Sequence, residues 1–408
     1  MISLSQASQL TQAAVNRLDS EVVTLANAVG RVLASDAVSD MDMPPFDKSS
    51  MDGYALRSKD VENAPVELAV AGKIAAGVYP DFEIAAGQSA KIMTGAPMPA
   101  GSDSVQQVEK TTESGGKVKI LESVKPGQNV ASRGDVMRAG QTVLREGTAI
   151  DPAVVGLLAA IGVAEVPVYR QPRVGILITG DELVDVSAKP LPGQIRDSNG
   201  PTLRAQTLAA GALPRMLGVA ADDIDDLRRG VQAGLSNDVL ILSGGVSMGD
   251  YDFVEEVFVE LGVEVLYNKI RVKPGKPTVF GRRGQTLVFG LPGNPVSAST
   301  IFELLVRPAL LKMMGSTVPH HLRAEATLLS DFASKTNREN YHPASTHIRD
   351  GRFCTEPVAS RGSADILAFA RSNSFIVAPP EQDVFRTGDV IQILFRAGMM
   401  PCFNEVAA

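Results

Sequence analysis

Residues 173–183 read RVGILITGDEL, a short apolar run that ends in a glycine and two acids. The part Val174–Thr179 is typical of a strand buried on both faces of a sheet. The pattern then alternates along the chain, with predicted strands at 215–219, 239–242 and 263–267 and predicted helices at 201–210, 222–235, 253–261 and 296–314. This alternation predicts a central open, mostly parallel α/β sheet with helices on its faces.

The sequence on either side of this unit has a different pattern of apolar residues. Residues 1–35 carry apolar residues at helical spacing, whereas 65–148 and 323–396 consist of short β-favouring runs broken by Gly and Pro. We therefore expect a multidomain α/β plus β fold with an N-terminal helical segment and flanking β domains. The predicted divisions are a helical and linking domain at 1–40 and 138–172, a β-rich domain at 41–137, the α/β domain at 173–318 and a C-terminal β domain at 319–408.

The composition excludes several classes of function. The 408 residues carry a net charge of -7, whereas nucleic-acid-binding proteins usually have a basic excess, so we expect no nucleic-acid partner. The longest apolar stretch, residues 153–164, is shorter than the roughly 20 residues of a spanning helix, so we expect no membrane segment. Residues 1–11 do not resemble a secretory signal, and Cys354 and Cys402 form no Cys-x-x-Cys pair. These features predict a cytoplasmic location.

The loops after the predicted strands bring acids and glycines to one edge of the sheet. These loops are Thr179-Gly-Asp-Glu182, Val219-Ala-Ala-Asp-Asp223 and Ser243-Gly-Gly245. Ligands of open α/β sheets bind at this edge, and a Gly-Gly backbone can approach an anion closely. Because Glu182, Asp222 and Asp252 would repel a bare phosphate, they indicate a phosphate site bridged by Mg²⁺. The alternative is an ordinary turn, with Asp222 as a helix N-cap.

Two further loops are rich in proline and glycine. Lys273-Pro-Gly-Lys-Pro277 carries two lysines on a stiff loop and suits an oxyanion, although a solvated charged turn explains it equally well. Gly290-Leu-Pro-Gly-Asn-Pro295 is a second candidate anion-binding turn, or else a sharp turn with Asn294 as N-cap and Pro295 as the first helical residue. Taken alone, Met51-Asp-Gly-Tyr-Ala55 and Met93-Thr-Gly-Ala-Pro97 are a loop and a strand end.

One motif points to a different chemistry. Gly245-Val-Ser-Met-Gly249 matches the nucleophile elbow of a serine hydrolase, with Ser247 as the nucleophile. A catalytic triad also needs a histidine, and all four histidines lie in or beside the C-terminal β segment. The hydrolase therefore stays an alternative function of another class.

Seven motifs occur together in one order along the chain. They are Met51–Ala55, Met93–Pro97, Thr179–Leu183, Gln194-Ile-Arg-Asp-Ser-Asn199, Ser243–Asp250 with Asp252, Lys273–Pro277 and Gly290–Pro295. Each motif alone is weak. As an ordered set covering nearly the whole chain, they closely resemble the bacterial molybdopterin molybdenumtransferase (MoeA) family, which is related to the E domain of gephyrin.

The resemblance implies a reaction in molybdenum cofactor biosynthesis. Adenylylated molybdopterin and molybdate bind as substrates, the phosphoanhydride is cleaved with the help of Mg²⁺, AMP leaves, and the dithiolene binds molybdenum. It also implies an elongated homodimer with an active cleft between the α/β domain of one subunit and the β domains of the other. Contacts with the molybdopterin adenylyltransferase and with downstream cofactor acceptors are implied as well.

The same resemblance carries the family's site residues onto this chain. Asp52, Glu182 and Asp222 match catalytic positions, with Glu182 and Asp222 placed to hold Mg²⁺ and Asp52 a candidate general base or water-orienting acid. The matching substrate-binding positions are Thr94, Asp197, Asn199, Ser243, Gly244, Gly245, Ser247, Asp252, Lys273, Lys276, Pro292, Asn294, Pro295, Arg338 and Ser363. Of these, the two lysines, Arg338 and Ser363 match the family's oxyanion-binding positions.

The chain departs from the family pattern at two places. An acid expected at position 136 is replaced by Val136, and a basic residue often found after the Arg338 position is replaced by Pro343. The first departure keeps open a catalytically impaired paralogue that acts as a pterin-binding carrier or scaffold. The related adenylyltransferase shares the Ser-Gly-Gly type of α/β domain, but it is normally a shorter chain without the two β domains.

Overall fold

A computed structural model describes residues 1–245, 254–399 and 402–403. The chain divides into two compact units, the first comprising 1–34, 147–151 and 166–408 and the second 35–146 and 152–165. Within the described ranges, none of the helices has the length and apolar character needed to cross a membrane. The division into four domains with the limits given above stays a prediction.

The helices and strands follow one another in this order along the described chain. The helices are α1 Leu4–Ala14, α2 Pro152–Ala160, α3 Asn199–Ala209, α4 Ile224–Gly234, α5 Val254–Glu260, α6 Pro295–Ile301, α7 Arg307–Met313 and α8 Ile366–Ala370, and a π-helical turn, Phe302–Val306, joins α6 to α7. The first strands are β1 Ser20–Thr24, β2 Ala37–Val38, β3 Lys48–Ser49, β4 Gly53–Leu56, β5 Val66–Ile74, β6 Gln88–Ile92, β7 Ser104–Gln107, β8 Thr111–Ser114, β9 Lys117–Ile120, β10 Val130–Ala131, β11 Thr142–Leu144 and β12 Glu165–Tyr169. The others are β13 Arg173–Thr179, β14 Leu183–Val184, β15 Ile195–Arg196, β16 Leu213–Ala220, β17 Val239–Ser243, β18 Glu264–Tyr267, β19 Val272–Lys273, β20 Val279–Arg283, β21 Thr286–Leu291, β22 Arg323–Leu328, β23 Phe332–Ala333, β24 Glu339–Arg349, β25 Arg352–Pro357, β26 Ser374–Ala378, β27 Val384–Phe385, β28 Val390–Phe395 and β29 Cys402–Phe403.

The first unit contains the predicted open sheet. Its strand order is β16-β13-β17-β21-β20-β18; the first four strands run parallel, and β20 and β18 are antiparallel to their neighbours. Successive residues of β13 enter different cores, Ile176 on one face of the sheet and Leu177 on the other. Because both faces are covered, these strands are apolar throughout, as the sequence predicts. The mostly parallel α/β fold class is thereby confirmed.

The first unit also contains a closed β sheet. Strands β24, β25, β22, β28 and β26 pair in turn, and β26 pairs back onto β24. The short strand β19 runs parallel to β24, with Val272 opposite Glu339 and Lys273 opposite Asn340. The lysine loop, which lies between strands β18 and β20 of the α/β sheet, is therefore hydrogen-bonded directly to the C-terminal β region.

The second unit is β-rich. Its main sheet has the order β7-β4-β6-β5-β9-β8, and a hairpin turn at 114–117 joins β8 to β9. At the start of β4, a Cβ on Gly53 would lie 1.9 Å from the carbonyl oxygen of Gln106, so only glycine fits there. This close contact fixes the chain immediately after Asp52.

The N-terminal prediction is partly wrong. The segment predicted to be helical, 1–35, forms a helix only at Leu4–Ala14, where Ser3 and Gln6 make a capping box. Residues Ser20–Thr24 instead form strand β1, which pairs with β12. The β-branched run Val22-Val23-Thr24 favours a strand once a partner is present, which outweighs the helical spacing of its apolar residues.

Candidate functional site

The carboxyl ends of the four parallel strands surround a cavity of about 700 Å³ in the first unit. Many of the predicted site residues line it: Glu182, Asp197, Asn199, Asp222, Gly244, Gly245, Asn294 and Pro295. They come from four separate loops, because strands β13, β16, β17 and β21 all end at this edge. The structure therefore brings together the acid, glycine and proline motifs of the α/β domain.

Asn199 ties three of these loops together at the start of α3. Its amide nitrogen Nδ2 donates to Ser243 Oγ at 3.0 Å and to the carbonyl oxygen of Gly293 at 2.7 Å. Ser243 Oγ in turn donates to the carbonyl oxygen of Pro292 at 3.3 Å. The Asn199 oxygen Oδ1 is buried and has no hydrogen-bond partner in the described part of the chain. Buried polar atoms are normally paired, so this oxygen retains the capacity to bind a ligand donor.

The Gly-Gly loop approaches β13 very closely. Gly244 and Gly245 both have positive φ angles, +104° and +61°. A Cβ on Gly244 would lie 2.4 Å from Thr179 Oγ1 and 2.6 Å from the Thr179 carbonyl oxygen. The Gly244 amide donates to the Leu291 carbonyl oxygen at 3.1 Å, so it is not a bare N–H as the sequence suggested. Only glycine permits this close approach of the loop backbone to β13.

Thr179 also lines this cavity, although it is not among the site residues that the sequence predicts. Its side chain lines the cavity, and its hydroxyl is buried and has no hydrogen-bond partner among the residues described. The signal was available, since Thr179 opens the quoted Thr-Gly-Asp-Glu motif at the tip of a buried strand.

Three acids converge at the rim of this cavity. Asp222 donates its backbone N–H to Asp181 Oδ1 at 3.0 Å. Its carboxyl group has a raised pKa, first because it is partly removed from water and then because Asp181 and Glu182 place negative charge beside it. The expectation that Asp222 caps the next helix is wrong by one residue, because the N-cap of α4 is Asp223, which accepts from the amides of Asp225 and Asp226. The Asp222 carboxylate is therefore not used as the helix cap.

These acids fit a partial Mg²⁺ site. In the ranges 1–245 and 254–399, no group of three or more His, Cys, Asp or Glu side chains is arranged to hold a metal by itself. Mg²⁺, however, is commonly held by one or two carboxylates together with substrate phosphates and water. The repulsion that raises the Asp222 pKa is also what a bound cation would relieve.

Asp197 lies at the entry to α3, between the acid loop and Asn199. Its Oδ1 accepts from the Gly200 amide at 2.9 Å, and a Cβ on Gly200 would lie 2.3 Å from its Oδ2. This carboxylate is thus fixed by a backbone bond and by a glycine that makes room for it. One wall of the cavity is rigid for that reason.

The predicted oxyanion-binding residues form two groups. Lys273 lies opposite Asn340 on β24, and Arg338 donates from Nη1 to the Val272 carbonyl oxygen at 3.2 Å, so these two cations belong to one corner of the first unit. Lys276 follows on the same loop. Burial lowers the pKa of nearby His342, and the Lys273 charge lowers it further.

Ser363 lies next to the large cavity instead, although its own side chain is not part of the lining. Its carbonyl oxygen accepts from the Val296 amide at 3.1 Å in the first turn of α6, beside Asn294 and Pro295. The following residue, Ala364, lines the cavity. Neither lysine nor Arg338 is among the residues found to line this cavity. At the second departure from the family pattern, Pro343 lies within β24 opposite Phe375, and its carbonyl oxygen accepts from Val358.

In the second unit, Asp52 and Thr94 form a pair. Asp52 Oδ1 accepts from the Thr94 amide at 2.7 Å and from the Thr94 hydroxyl at 2.9 Å. These two hydrogen bonds, the amide's first, lower the pKa of the Asp52 carboxyl group. The side chain is exposed, as is that of Val136, which is 69% accessible. The two motifs that seemed to be an ordinary loop and strand end therefore meet through one carboxylate.

Two predicted site residues, Ser247 and Asp252, lie outside the described residues. The serine hydrolase alternative gains no support from the described histidines. His321 bonds to the Glu303 carbonyl oxygen at 2.9 Å, and His342 bonds to the Val358 carbonyl oxygen at 3.0 Å. These partners belong to the C-terminal part of the chain rather than to a strand-end loop of the open sheet.

An open α/β sheet with a cavity at its carboxyl edge defines the class of α/β domains that bind small ligands at this edge. Sequence comparison identifies the family. Residues 2–162 match the MoeA N-terminal region (domain I and II), 175–312 match the probable molybdopterin binding domain, and 325–395 match the MoeA C-terminal region (domain IV). The chain belongs to the molybdopterin molybdenumtransferase family, a family of enzymes of molybdenum cofactor biosynthesis.

The similarity extends over almost the whole length of known relatives. The molybdopterin molybdenumtransferase of Bacillus subtilis (strain 168) is 36% identical over 385 residues, covering 92% of this chain and 90% of the relative. That of Nostoc sp. (strain PCC 7120) is 36% identical over 390 residues, covering 92% and 88%. The crystal structure of the molybdopterin biosynthesis MoeA protein from Pyrococcus horikoshii OT3 matches with a TM-score of 0.85 and 30% identity, covering 97% of this chain and 100% of that one. The predicted family, fold class and enzyme class are confirmed.

Proposed function

We propose that this chain inserts molybdenum from molybdate into adenylylated molybdopterin, with Mg²⁺-assisted cleavage of the phosphoanhydride and release of AMP. The observation that carries this proposal is the cavity at the carboxyl edge of the open sheet. Its wall combines acids, a closely packed Gly-Gly loop and unpartnered buried polar atoms within about 700 Å³. That volume lies within the range of sites for small molecules and cofactors.

The cavity residues divide into those that hold the substrate and those that handle charge. Asn199, Ser243 and the Pro292–Pro295 turn are held together by hydrogen bonds, so the surface offered to the adenylate and pterin is preorganised. The Thr179 hydroxyl and Asn199 Oδ1 supply hydrogen-bonding capacity that the described residues leave unused. Asp197, anchored to the Gly200 amide, closes one side.

Glu182 and Asp222 are the residues we assign to hold Mg²⁺. The cation supplies Lewis-acid stabilisation of the negative charge that develops on the phosphate oxygens. The two carboxylates contribute hard oxygen donors, and Asp181, hydrogen-bonded to the Asp222 amide, keeps that loop in place. No protein nucleophile is needed, because a water molecule can supply the oxygen that bonds to phosphorus as the phosphoanhydride P–O bond breaks and AMP leaves. Electrostatic stabilisation of the charge on the phosphate oxygens lowers the barrier to this step.

Lys273, Lys276, Arg338 and Ser363 are the residues we assign to molybdate. Three cations suit a tetrahedral dianion, and the lysines sit on a loop stiffened by two prolines. The sulfurs that bind the metal belong to the pterin substrate. This accounts for a metal-transferring protein with two cysteines and no thiolate site of its own.

Asp52 is the residue we assign to orient or deprotonate a water molecule. Its lowered pKa keeps it ionised, and Thr94 fixes its Oδ1. We further propose a cytoplasmic homodimer in which the β-rich unit of one subunit completes the cleft of the other. Contacts with the adenylyltransferase and with cofactor acceptors would then pass the pterin in and out.

The test is AMP release by the purified chain given adenylylated molybdopterin, with and without Mg²⁺ and molybdate, together with the molybdenum retained on the pterin. We expect AMP release that depends on both additions and stoichiometric bound metal. Reactions lacking only molybdate, and reactions containing EDTA, are the controls. Tight adenylate binding without turnover would replace the transferase with the carrier function, for which the exposed Val136 is the relevant departure.

A further inference from the structure

A second cavity lies away from the proposed active site, beside an arginine that makes no hydrogen bond to the described residues. Arg307 begins α7, directly after the π-helical turn Phe302–Val306. No hydrogen bond or ion pair links its guanidinium group to any residue in 1–245, 254–399 or 402–403. Its Nε atom is fully buried and lacks an acceptor. The charge of nearby Glu303 offsets only part of the cost of burying this cation, and burial still lowers the pKa of the Arg307 guanidinium group.

The natural intrahelical partner of Arg307 is occupied elsewhere. Glu303 precedes it by four residues, the spacing at which an acid and an arginine on a helix usually pair. In this chain Glu303 Oε1 accepts from Gln206 Nε2 at 3.2 Å, and its Oε2 lies 3.0 Å from His321 Nε2. The Glu303 and His321 side chains are both buried, so these contacts are fixed. π-helical turns often occur at functional sites, and this one is followed by an unpaired arginine.

The cavity beside Arg307 has a volume of about 420 Å³. Its charged residues are Arg307, Arg396 and Glu303, two cations against one anion. Arg396 is anchored, because its Nη1 donates to the carbonyl oxygens of Phe369 at 2.6 Å and Ser372 at 2.7 Å. The Arg396 guanidinium group is therefore held at the cavity by these hydrogen bonds.

The opposite wall of this cavity is largely apolar. It is formed by Pro201, Ala205 and Ala209 on one face of α3, and Ala397 adds a further methyl group. Its lining shares no residue with the cavity at the sheet edge. A charged corner facing an apolar wall is the arrangement expected of a small-molecule site with one orienting polar contact.

We propose that this cavity binds a small organic anion, with its carboxylate or phosphate group against Arg307 and its apolar part against α3. A planar guanidinium group suits either head group, since both offer two oxygens at the spacing of its N–H donors. The proposal concerns a site separate from the proposed transferase chemistry and does not depend on it.

The experiment is calorimetric titration of the full-length protein with phenyl phosphate and with benzoate, using benzyl alcohol as the neutral probe of similar shape. We expect at least one anion to bind, and Arg307→Gln to weaken that binding at least tenfold, a loss of about 1.4 kcal/mol. Arg283→Gln, an exposed arginine of β20, removes the same charge and should leave binding unchanged. The stronger of the two anionic probes identifies the head group.

Binding of phenyl phosphate at the Gly-Gly loop must be separated from binding here. In the Gly244→Ala variant the cavity signal should persist, whereas in Ala205→Glu a new carboxylate on the cavity wall should abolish it. Because Arg307 makes no hydrogen bond, Arg307→Gln should melt no lower than the wild type. Equal binding of all three probes, or undiminished anion binding by Arg307→Gln, overturns the proposal. So does a change of oligomeric state in Arg307→Gln without anion binding by the wild type, since Arg307 would then serve an interface.

Discussion

Asp52 and Asp222 are the same residue type in opposite electrostatic situations. Asp52, in the second unit, accepts two hydrogen bonds from Thr94, and its pKa is lowered. Asp222, in the first unit, lies beside Asp181 and Glu182, and its pKa is raised. Hydrogen bonds stabilise the ionised form of Asp52. Partial burial and the neighbouring negative charges destabilise the ionised form of Asp222. Under the proposed function, Asp52 acts as a lone anion, whereas Asp222 acts together with a cation.

The largest effect on activity should come from neutralising Asp222 or Glu182, the two carboxylates assigned to Mg²⁺. Asp222→Asn and Glu182→Gln should each lower Mg²⁺-dependent AMP release by roughly 10²-fold or more, the usual scale for lost electrostatic stabilisation. Single-turnover assays over a range of Mg²⁺ concentrations would measure the loss. Asp223→Asn is the matched control, because it removes the same charge one residue away while asparagine still caps α4. Full activity of both variants would remove these residues from the site.

The next largest effect concerns the Gly-Gly loop. Gly244→Ala should weaken adenylate binding about ten- to hundredfold, because the new methyl group would meet Thr179 Oγ1 at 2.4 Å and strain a backbone at φ +104°. Equilibrium dialysis with the adenylylated substrate would measure this.

Gly284→Ala separates the two causes, since Gly284 also has a positive φ, +59°, but has open space where the Cβ would lie. It should cost a little stability and no affinity. If the two variants bind equally well, the close contact with Thr179 has no role in recognition.

A smaller effect should appear at Asp52. Thr94→Val removes the hydroxyl donor but keeps the amide donor, so the Asp52 pKa should rise partway toward its ordinary value. The acid limb of the pH–rate profile should then move to higher pH, while the rate near pH 8 falls by less than about threefold. Thr94→Ser restores the hydroxyl and should restore the profile. An unmoved acid limb would mean that Asp52 does not titrate in the rate-limiting step.

The sequence predicts the fold better than it predicts which atoms are free. Apolar runs and helical periods locate the open sheet, and the strand-end loops locate its carboxyl edge, because these patterns follow directly from burial. The sequence does not show that Asp223, rather than Asp222, is the N-cap of α4. Either acid can cap a helix, and only the backbone conformation decides between them.

The unpartnered groups were equally hard to predict. Thr179 Oγ1, Asn199 Oδ1 and Arg307 stand out only when every potential partner has a position. Whether a polar atom lacks a hydrogen-bond partner depends on three-dimensional packing and not on spacing along the chain. The resemblance to a family supplied Asn199, but nothing in the sequence distinguishes Arg307 from the other arginines.

The smallest predicted effect tests the comparison through stability. Because the Asp222 pKa is raised on folding, its charged form destabilises the folded state above that pKa, and the penalty is relieved as pH falls. Asp222→Asn should therefore raise the melting temperature at pH 7.5 without Mg²⁺ by about 1 °C, since solvent screens an exposed group. The lowered Asp52 pKa has the opposite sign: its stabilisation is present above the ordinary aspartate pKa and is lost as pH falls through the lowered value. Asp52→Asn should accordingly lower the melting temperature at pH 7.5, and scanning calorimetry of both variants would show whether the two shifts have opposite signs, as the comparison requires.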